Sequence, residues 1–234
     1  MAKKRLDQLL VERGLVETRS KAQAFIMAGN VFSGEQRLDK PGMPCKEDIS
    51  ITLRGQPHPW VSRGGLKLEK GLAEFEIDVT GFIGVDVGAS TGGFTDVLLQ
   101  NGAAKVYAVD VGQGQLDWKL RNDERVVVME KTNARHLTEE QISDAIDIVV
   151  CDASFIGLRT VLPASMERVK DGGYLIALIK PQFEVGKERV GKKGVVREPE
   201  LHQEVCDTIS DWLANLPGWE VLGITKSPIT GPEG

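Results

Sequence analysis

Cysteine is scarce in this chain: Cys45, Cys151 and Cys206 are the only three among 234 residues. Their odd number and wide spacing argue against a disulfide framework and offer no zinc-ligand pattern, so no metal is expected. No apolar run approaches the roughly 18 residues of a membrane-spanning helix. Met1-Ala-Lys-Lys-Arg5 is basic but leads into an amphipathic segment, not the continuous apolar core of a secretory leader. A cytoplasmic protein without stable membrane association is expected. Internal repeats and low-complexity tracts are missing as well, which sets aside repeat architectures.

The length accommodates one sizeable α/β core plus a small module. Charge is unevenly shared between them. Residues through Trp60 hold ten basic and seven acidic side chains, a net +3, so the remainder carries −8 to give the overall −5. A basic head on an acidic body predicts that the head meets a polyanion. Arg54-Gly-Gln-Pro-His-Pro-Trp60, with two prolines, a glycine and no periodicity, reads as a semi-rigid linker. The predicted division is 1–55 for the module, 56–61 for the linker and 62–234 for the larger domain.

The module reads as helix, helix, strand, turn, strand. Leu6, Leu9, Leu10, Leu15 and Val16 form an apolar stripe on a first helix that Gly14 ends. Ser20-Lys-Ala-Gln23 has a capping-box pattern and opens a second helix over 21–28, stopped by Gly29. Val31-Phe32-Ser-Gly34 enters a turn, and Ile49-Ser-Ile-Thr-Leu53 reads as an alternating closing strand. Arg5, Arg19 and Lys21 stand at helix starts, where cationic side chains and backbone N–H groups jointly suit phosphates.

The most informative stretch is Gly88-Ala-Ser-Thr-Gly92-Gly93-Phe94, following the apolar run Phe82-Ile-Gly-Val-Asp86-Val87. A buried strand that breaks into a glycine turn and then a helix builds a nucleotide-binding corner; a structural turn in some other α/β protein is the alternative. Asp110 closes the next apolar run about twenty residues on, where an acid can accept hydrogen bonds from both hydroxyls of an adenosine ribose. The spacing is G-x-x-x-G-G, whereas a dinucleotide pyrophosphate is served by G-x-G-x-x-G. S-adenosyl-L-methionine has no phosphate and suits such a slot better than NAD. Apolar runs at 82–87, 105–109, 126–129, 146–151, 174–179 and 219–225 alternate with helices, clearest at 158–169 and 200–216. The alternation predicts an α/β fold: a Rossmann-like, mostly parallel, doubly wound sheet beside a small α+β amino-terminal domain.

Polar residues cluster where those runs end, the side on which such sheets bind ligands. Asp152 follows 146–151 and begins Asp152-Ala-Ser-Phe155. Methylases of exocyclic amines carry Asn/Asp-Pro-Pro-aromatic at this place, and Ala153-Ser154 lacks the prolines. Cys151 is the nearby thiol for a carbon-5 pyrimidine mechanism, or simply a buried core residue. Lys180 ends 174–179 beside Pro181-Gln-Phe-Glu184, either as a snorkelling side chain or as a partner of Asp152. Lys67, in Ser62-Arg63-Gly-Gly-Leu-Lys67, precedes the first run and is placed to fold over the same pocket. Glu233, in Gly231-Pro-Glu-Gly234, follows the last run.

Arg5-Leu-Asp, Thr18-Arg-Ser-Lys-Ala and Gly29-Asn-Val31 resemble the S4 RNA-binding domain, with a departure at Phe32-Ser-Gly34, where that family has valine, asparagine and glycine. Lysine, aspartate, lysine and glutamate in this chain order resemble the signature of the FtsJ-like 2′-O-methyltransferases. Across both domains the chain is similar to the TlyA family, named hemolysins but carrying ribosomal RNA 2′-O-methyltransferase activity. The match is carried by Ser62 to Lys67, Asp86 to Phe94, Asp110-Val-Gly112, Asp152 to Phe155, Lys180 to Glu184 and Gly231 to Gly234.

The resemblance implies a catalytic tetrad of Lys67, Asp152, Lys180 and Glu233. It implies contacts to S-adenosyl-L-methionine from Asp86, Gly88, Ser90, Gly92, Gly93, Phe94, Asp110, Asn133 and Asp152, and RNA contacts from Arg5, Arg19, Lys21 and Arg63. Ribosomal RNA or ribosomal subunits would be the partner and a cytidine ribose the target. Lys180 would act as the base, or stay charged and steer the hydroxyl. The implied fold has a seventh strand for which the sequence offers no residues, so either the chain is shortened or the sheet has one strand fewer, and shortening there would loosen Glu233 and weaken activity. Two other functions fit the sequence: a membrane-damaging protein, as the hemolysin name suggests, and a ribosome-assembly RNA binder with an inert methylase body.

Overall fold

Apolar residues three and four apart share a helix face, and in the amino-terminal module they set the core. The computed structural model describes residues 3–16, 18–53 and 58–231 and divides ahead of His58 into two units. The first comprises β1 (Lys3–Arg5), α1 (Leu6–Glu12), α2 (Arg19–Met27), β2 (Val31–Ser33), β3 (Gln36–Arg37), β4 (Pro44–Lys46) and β5 (Thr52–Leu53). Leu6, Leu9, Leu10, Ala22, Ile26 and Val31 meet in one buried cluster. Strand β1 pairs antiparallel with β4, and β2 lies between antiparallel β3 and β5.

Several boundaries differ from expectation. Helix α1 ends at Glu12, and Leu15 and Val16 pack on the cluster from beyond it. Thr18, not Ser20, caps α2: its hydroxyl accepts from the Lys21 N–H, so the helix begins at Arg19. The closing strand is confined to Thr52–Leu53. Strands β1, β3 and β4 are two or three residues long and show no alternation long enough to announce them.

Asp7 is fully buried in this unit. Its carboxylate accepts from Arg5 Nε at 3.0 Å and Nη2 at 2.9 Å, from Arg19 Nε at 3.0 Å and from Gln23 Nε2 at 2.9 Å. These bonds, that from Arg5 foremost, hold the carboxyl well below the usual carboxylate range. Arg5 and Arg19 are thereby fixed on one side while their side chains remain about half exposed.

The second unit contains α3 (Gly65–Glu74), β6 (Ile83–Val87), α4 (Gly93–Gln100), β7 (Lys105–Val109), α5 (Trp118–Arg121), β8 (Val126–Met129), β9 (Ile146–Cys151), α6 (Leu158–Val161), α7 (Pro163–Met166), β10 (Val169–Ala177), α8 (Pro181–Glu184) and α9 (Pro199–Ala214). The five strands form one parallel sheet in the order β8-β7-β6-β9-β10. Both faces are covered, so its strands read as continuous apolar runs. Ile148 and Val150 of β9 face a cluster with Leu68, Leu72, Val97 and Leu98, while Val149 and Cys151 face one with Leu162, Val205 and Ile209. Trp60 is buried against this unit, its Nε1 donating to Glu69, and the Val61 N–H donates to Asp96 at 2.8 Å.

Two expectations fail here. The helix expected over 158–169 breaks at Pro163, which has no N–H to continue α6 and instead occupies the first turn of α7. Residues 219–225 form no strand, and Leu222 and Ile224 are exposed. An apolar alternation becomes a strand only where a sheet edge accepts its hydrogen bonds, and among the described residues β10, one of the two edges of the sheet, pairs with β9 alone.

The chain passes from β6 outward to β7 and β8, then returns to place β9 against the other side of β6. The switch point between β6 and β9 is where a doubly wound sheet opens a crevice. Asp86, at the end of β6, is wholly buried and braces α4: its Oδ2 accepts from Thr95 N at 2.9 Å and Thr95 Oγ1 at 2.7 Å. Burial pushes its pKa up to about 7.

Asp7 and Asp86 give opposite pH signatures. Asp7, lowered, stabilises the fold above the unfolded value near ~3.9 and loses that contribution as pH falls through its folded value. Asp86, raised, contributes fully below ~3.9 and loses its contribution as pH rises toward about 7. Hydrogen-exchange mass spectrometry on α1 and α4 measures both. Asp7→Asn should speed α1 exchange about tenfold or more at neutral pH. Asp86→Asn should leave α4 protection flat between mildly acidic and neutral pH, where the wild type loses it; a wild-type slope in Asp86→Asn would contradict the assignment.

Candidate active site

The corner after β6 depends on backbone approaching backbone. Gly88 has φ +81°, and a Cβ there would lie 2.8 Å from the Cα of Ala153. Gly92, at φ +92°, is the N-cap of α4. A Cβ on Gly93 would meet Ser62 Oγ at 2.4 Å and Gly65 N at 2.9 Å, so the start of α4 abuts the turn that launches α3. Phe94 points into the core below the corner.

Asp110 ties the neighbouring turns together. Its Oδ2 accepts from Ser90 N at 2.8 Å and its Oδ1 from Gly112 N at 2.7 Å. Each oxygen keeps acceptor capacity, as a vicinal diol would need. Ser90, Asp110, Gly112, Gln115, Leu116 and Glu130 line a small pocket at this end of the sheet. Asn133 is exposed; its side chain accepts from Arg135 N and caps the short turn after Thr132, whose N–H donates to Asp110 O at 3.0 Å. The set suits S-adenosyl-L-methionine: no basic residue stands between Gly88 and Phe94, a Cβ would obstruct the glycine corner, and the buried Asp86 Oδ1 is an acceptor without a protein partner.

The Asp152 N–H donates to Val87 O at 3.1 Å, so the residue stands directly beyond the switch point. Lys67, in the first turn of α3, donates to Asp152 Oδ2 at 2.8 Å. Lys180, just past β10, places Nζ 2.8 Å from Asp152 Oδ1 as an ion pair. Its three hydrogen bonds run, each at 2.9 Å, to Asp152 O, Ala153 O and Ser154 Oγ. The side chains of Lys67, Asp152 and Lys180 are about one-fifth exposed (21, 21 and 18 %), which screens them only partly and leaves access for a substrate. The structure thus brings three of the four tetrad candidates together; Glu233 lies outside the described residues. Arg63 is exposed on the turn before α3, and Lys21 is exposed on α2.

The thiol option closes. Cys151 is fully buried and burial pushes its pKa up to about 12, so it supplies no thiolate to attack a pyrimidine ring. Two contributors had no assigned role in the sequence reading. Ser154 bonds Lys180, and Glu184 Oε1 accepts from Leu158 N at 2.7 Å. Both stand in quoted motifs, but only the spacing between two loops shows what they touch. Phe155, next to Ser154, is 91 % exposed and has φ +65°, a strained conformation for an aromatic residue.

The FtsJ-like methyltransferase family model matches residues 60–234, and the S4 domain model matches residues 4–48. YqxC of Bacillus subtilis, provisionally named an rRNA methyltransferase, is 53 % identical over 99 % of this chain and 83 % of its own length. The 16S/23S rRNA (cytidine-2′-O)-methyltransferase TlyA of Mycobacterium tuberculosis is 46 % identical over 98 % of this chain and 86 % of its own. A solved structure from Streptococcus thermophilus that bears the name hemolysin superposes with a TM-score of 0.77 at 46 % identity, covering 100 % of this chain and 86 % of that one. The chain belongs to the FtsJ-like methyltransferase family and carries an S4 domain on the amino-terminal side of the methyltransferase body.

Proposed function

We propose that this chain transfers the methyl group of S-adenosyl-L-methionine to the 2′-hydroxyl of a cytidine ribose in ribosomal RNA. The observation that carries the reading is the convergence of Lys67 and Lys180 on Asp152, beside the glycine corner whose Gly88 abuts Ala153. S-adenosyl-L-methionine, when bound at that corner, supplies an electrophilic sulfonium methyl. A ribose hydroxyl is a poor nucleophile, so the protein's task is alignment and proton removal. This chain's residues would hold the ribose hydroxyl facing that methyl group, and Lys180 would take the hydroxyl proton.

Ser154 lets Lys180 take part in either protonation state. As an ammonium, Lys180 donates to two carbonyls and the Ser154 oxygen. As an amine it keeps two donors for the carbonyls, and its single lone pair either accepts from the Ser154 hydroxyl or, once released from it, takes the ribose proton. Asp152 anchors both lysines, and Lys67 keeps two N–H donors beyond its bond to Asp152 for the incoming sugar. Glu233 is the proposed fourth member. Arg5, Arg19 and Lys21 of the S4 domain, with Arg63, are the proposed phosphate contacts, which makes the cytoplasm the proposed compartment. No helix among the described residues is long and apolar enough to cross a membrane, so the hemolysin name finds no such element here.

Lys180→Ala and Lys67→Ala should each lower kcat on ribosomal RNA about 10²- to 10⁴-fold. Calorimetry should find S-adenosyl-L-methionine bound within about threefold of wild type, since neither residue belongs to the Gly88–Asp110 corner; a parallel loss of affinity would contradict these roles. Arg5→Ala and Arg19→Ala should raise KM for RNA with kcat unchanged and shallow the salt dependence by about 0.7–0.9 per lost contact. An unchanged salt slope would remove them from the interface.

A further inference from the structure

Strands β9 and β10 stop pairing as a ladder near Cys151 and Ala177, yet the two chains stay together beyond that point. Leu178 N donates to Cys151 O at 2.9 Å. Lys180 then reaches the 152–154 backbone and Ser154, the rings of Phe183 and Phe155 lie 5.2 Å apart at 44°, and Glu184 accepts from Leu158 N at 2.7 Å. Residues 180–184 are thus fastened along 152–158 by side chains, in step, where backbone pairing has ended. Asp152 sits at one end of the fastening and Glu184 at the other.

Glu184 is the polar tie at the far end. Helix α6 starts after Gly157, which has no side chain to cap it, and its first N–H would lack a partner without a carboxylate from elsewhere. Gly157 also admits the approach: a Cβ there would come within 3.0 Å of Glu184 Oε2 and 3.2 Å of Phe183 O. The segment being held is strained, since Phe155 takes a left-handed backbone that persists only when neighbours over-determine it. The Phe155 ring is largely exposed, so its contact with Phe183 supplies little fastening alone. Burial raises the Glu184 pKa, which fits a carboxyl drawn into a half-covered site to reach one backbone donor.

We infer that Glu184 is a positioning residue for the methyl transfer: by capping α6 from the neighbouring loop, it holds the Lys180 ammonium in register on Asp152. The inference rests on the function proposed above, because it assigns Lys180 a place in the reaction. A displacement of about 1 Å in such a group can cost on the order of 10²-fold in rate. Glu184 itself touches neither the glycine corner nor the Asp152 carboxylate, so its loss acts on kcat and not on cofactor affinity.

The test compares wild type, Glu184→Ala and Glu184→Gln. Glutamine presents the same oxygen to Leu158 N; alanine does not. Glu184→Ala should lose about tenfold or more in kcat on ribosomal RNA and keep S-adenosyl-L-methionine affinity within about threefold, and Glu184→Gln should regain most of the rate. Mass-spectrometric labelling with an amine-reactive ester supplies a readout apart from activity: Lys180 should label several-fold faster in Glu184→Ala than in wild type or Glu184→Gln. Wild-type kcat and labelling in Glu184→Ala would overturn the inference, as would a loss of cofactor affinity matching the loss of rate. Inactive wild type with the predicted labelling pattern would instead refute the proposed function while upholding the positioning role.

Discussion

Two ammonium groups converge on the single carboxylate of Asp152, one at 2.8 Å from each oxygen. Like charges brought to one place repel, and the partly covered surroundings strengthen that repulsion as they strengthen the attraction of each lysine for the carboxylate. Two further contacts hold the arrangement: the Asp152 N–H is tied to Val87 O, and the Asp152 carbonyl is a further acceptor for Lys180. Each of the three residues comes from a different element, α3, the end of β9 and the end of β10, so the cluster exists only when the sheet order is correct. Catalytic geometry and fold are therefore one constraint.

A second carboxylate uses the same device for a different purpose. Asp7 gathers Arg5 and Arg19 in the S4 domain, fully buried where Asp152 is partly open. In each case one acid gathers two cations. Ordering long basic side chains in advance lowers the entropy lost when a phosphate or a hydroxyl is engaged. Burial decides what the acid then does. Asp7, shut away, can only organise its arginines, whereas Asp152 is partly open, as the proposed role beside a sugar requires.

The parallel strands were legible because a sheet covered on both faces writes each strand as an unbroken apolar run, and 105–109, 126–129 and 146–151 agree with β7, β8 and β9. The same logic fails at 219–225, where hydrophobic content is present but no edge among the described residues receives it. Pro163 should have divided the predicted helix, since its missing N–H is a fact of the sequence alone. The glycine corner and the meeting of Lys67, Asp152 and Lys180 could be anticipated from motif and strand-end logic. The tie of Glu184 to Leu158 could not, because it depends on how far two loops travel after their strands separate. Asp7 was equally hidden: its partners stand at positions 5, 19 and 23, and only packing places them around one carboxylate.

The most direct measurement is nucleoside mass spectrometry of ribosomal RNA after incubation with S-adenosyl-L-methionine and either the wild-type chain or Asp152→Asn. The account predicts 2′-O-methylcytidine with the wild type and a loss of at least about 10²-fold with the variant, which removes the shared anchor of both lysines. Methyl groups on a base instead of a ribose, or equal transfer by the two proteins, would contradict it.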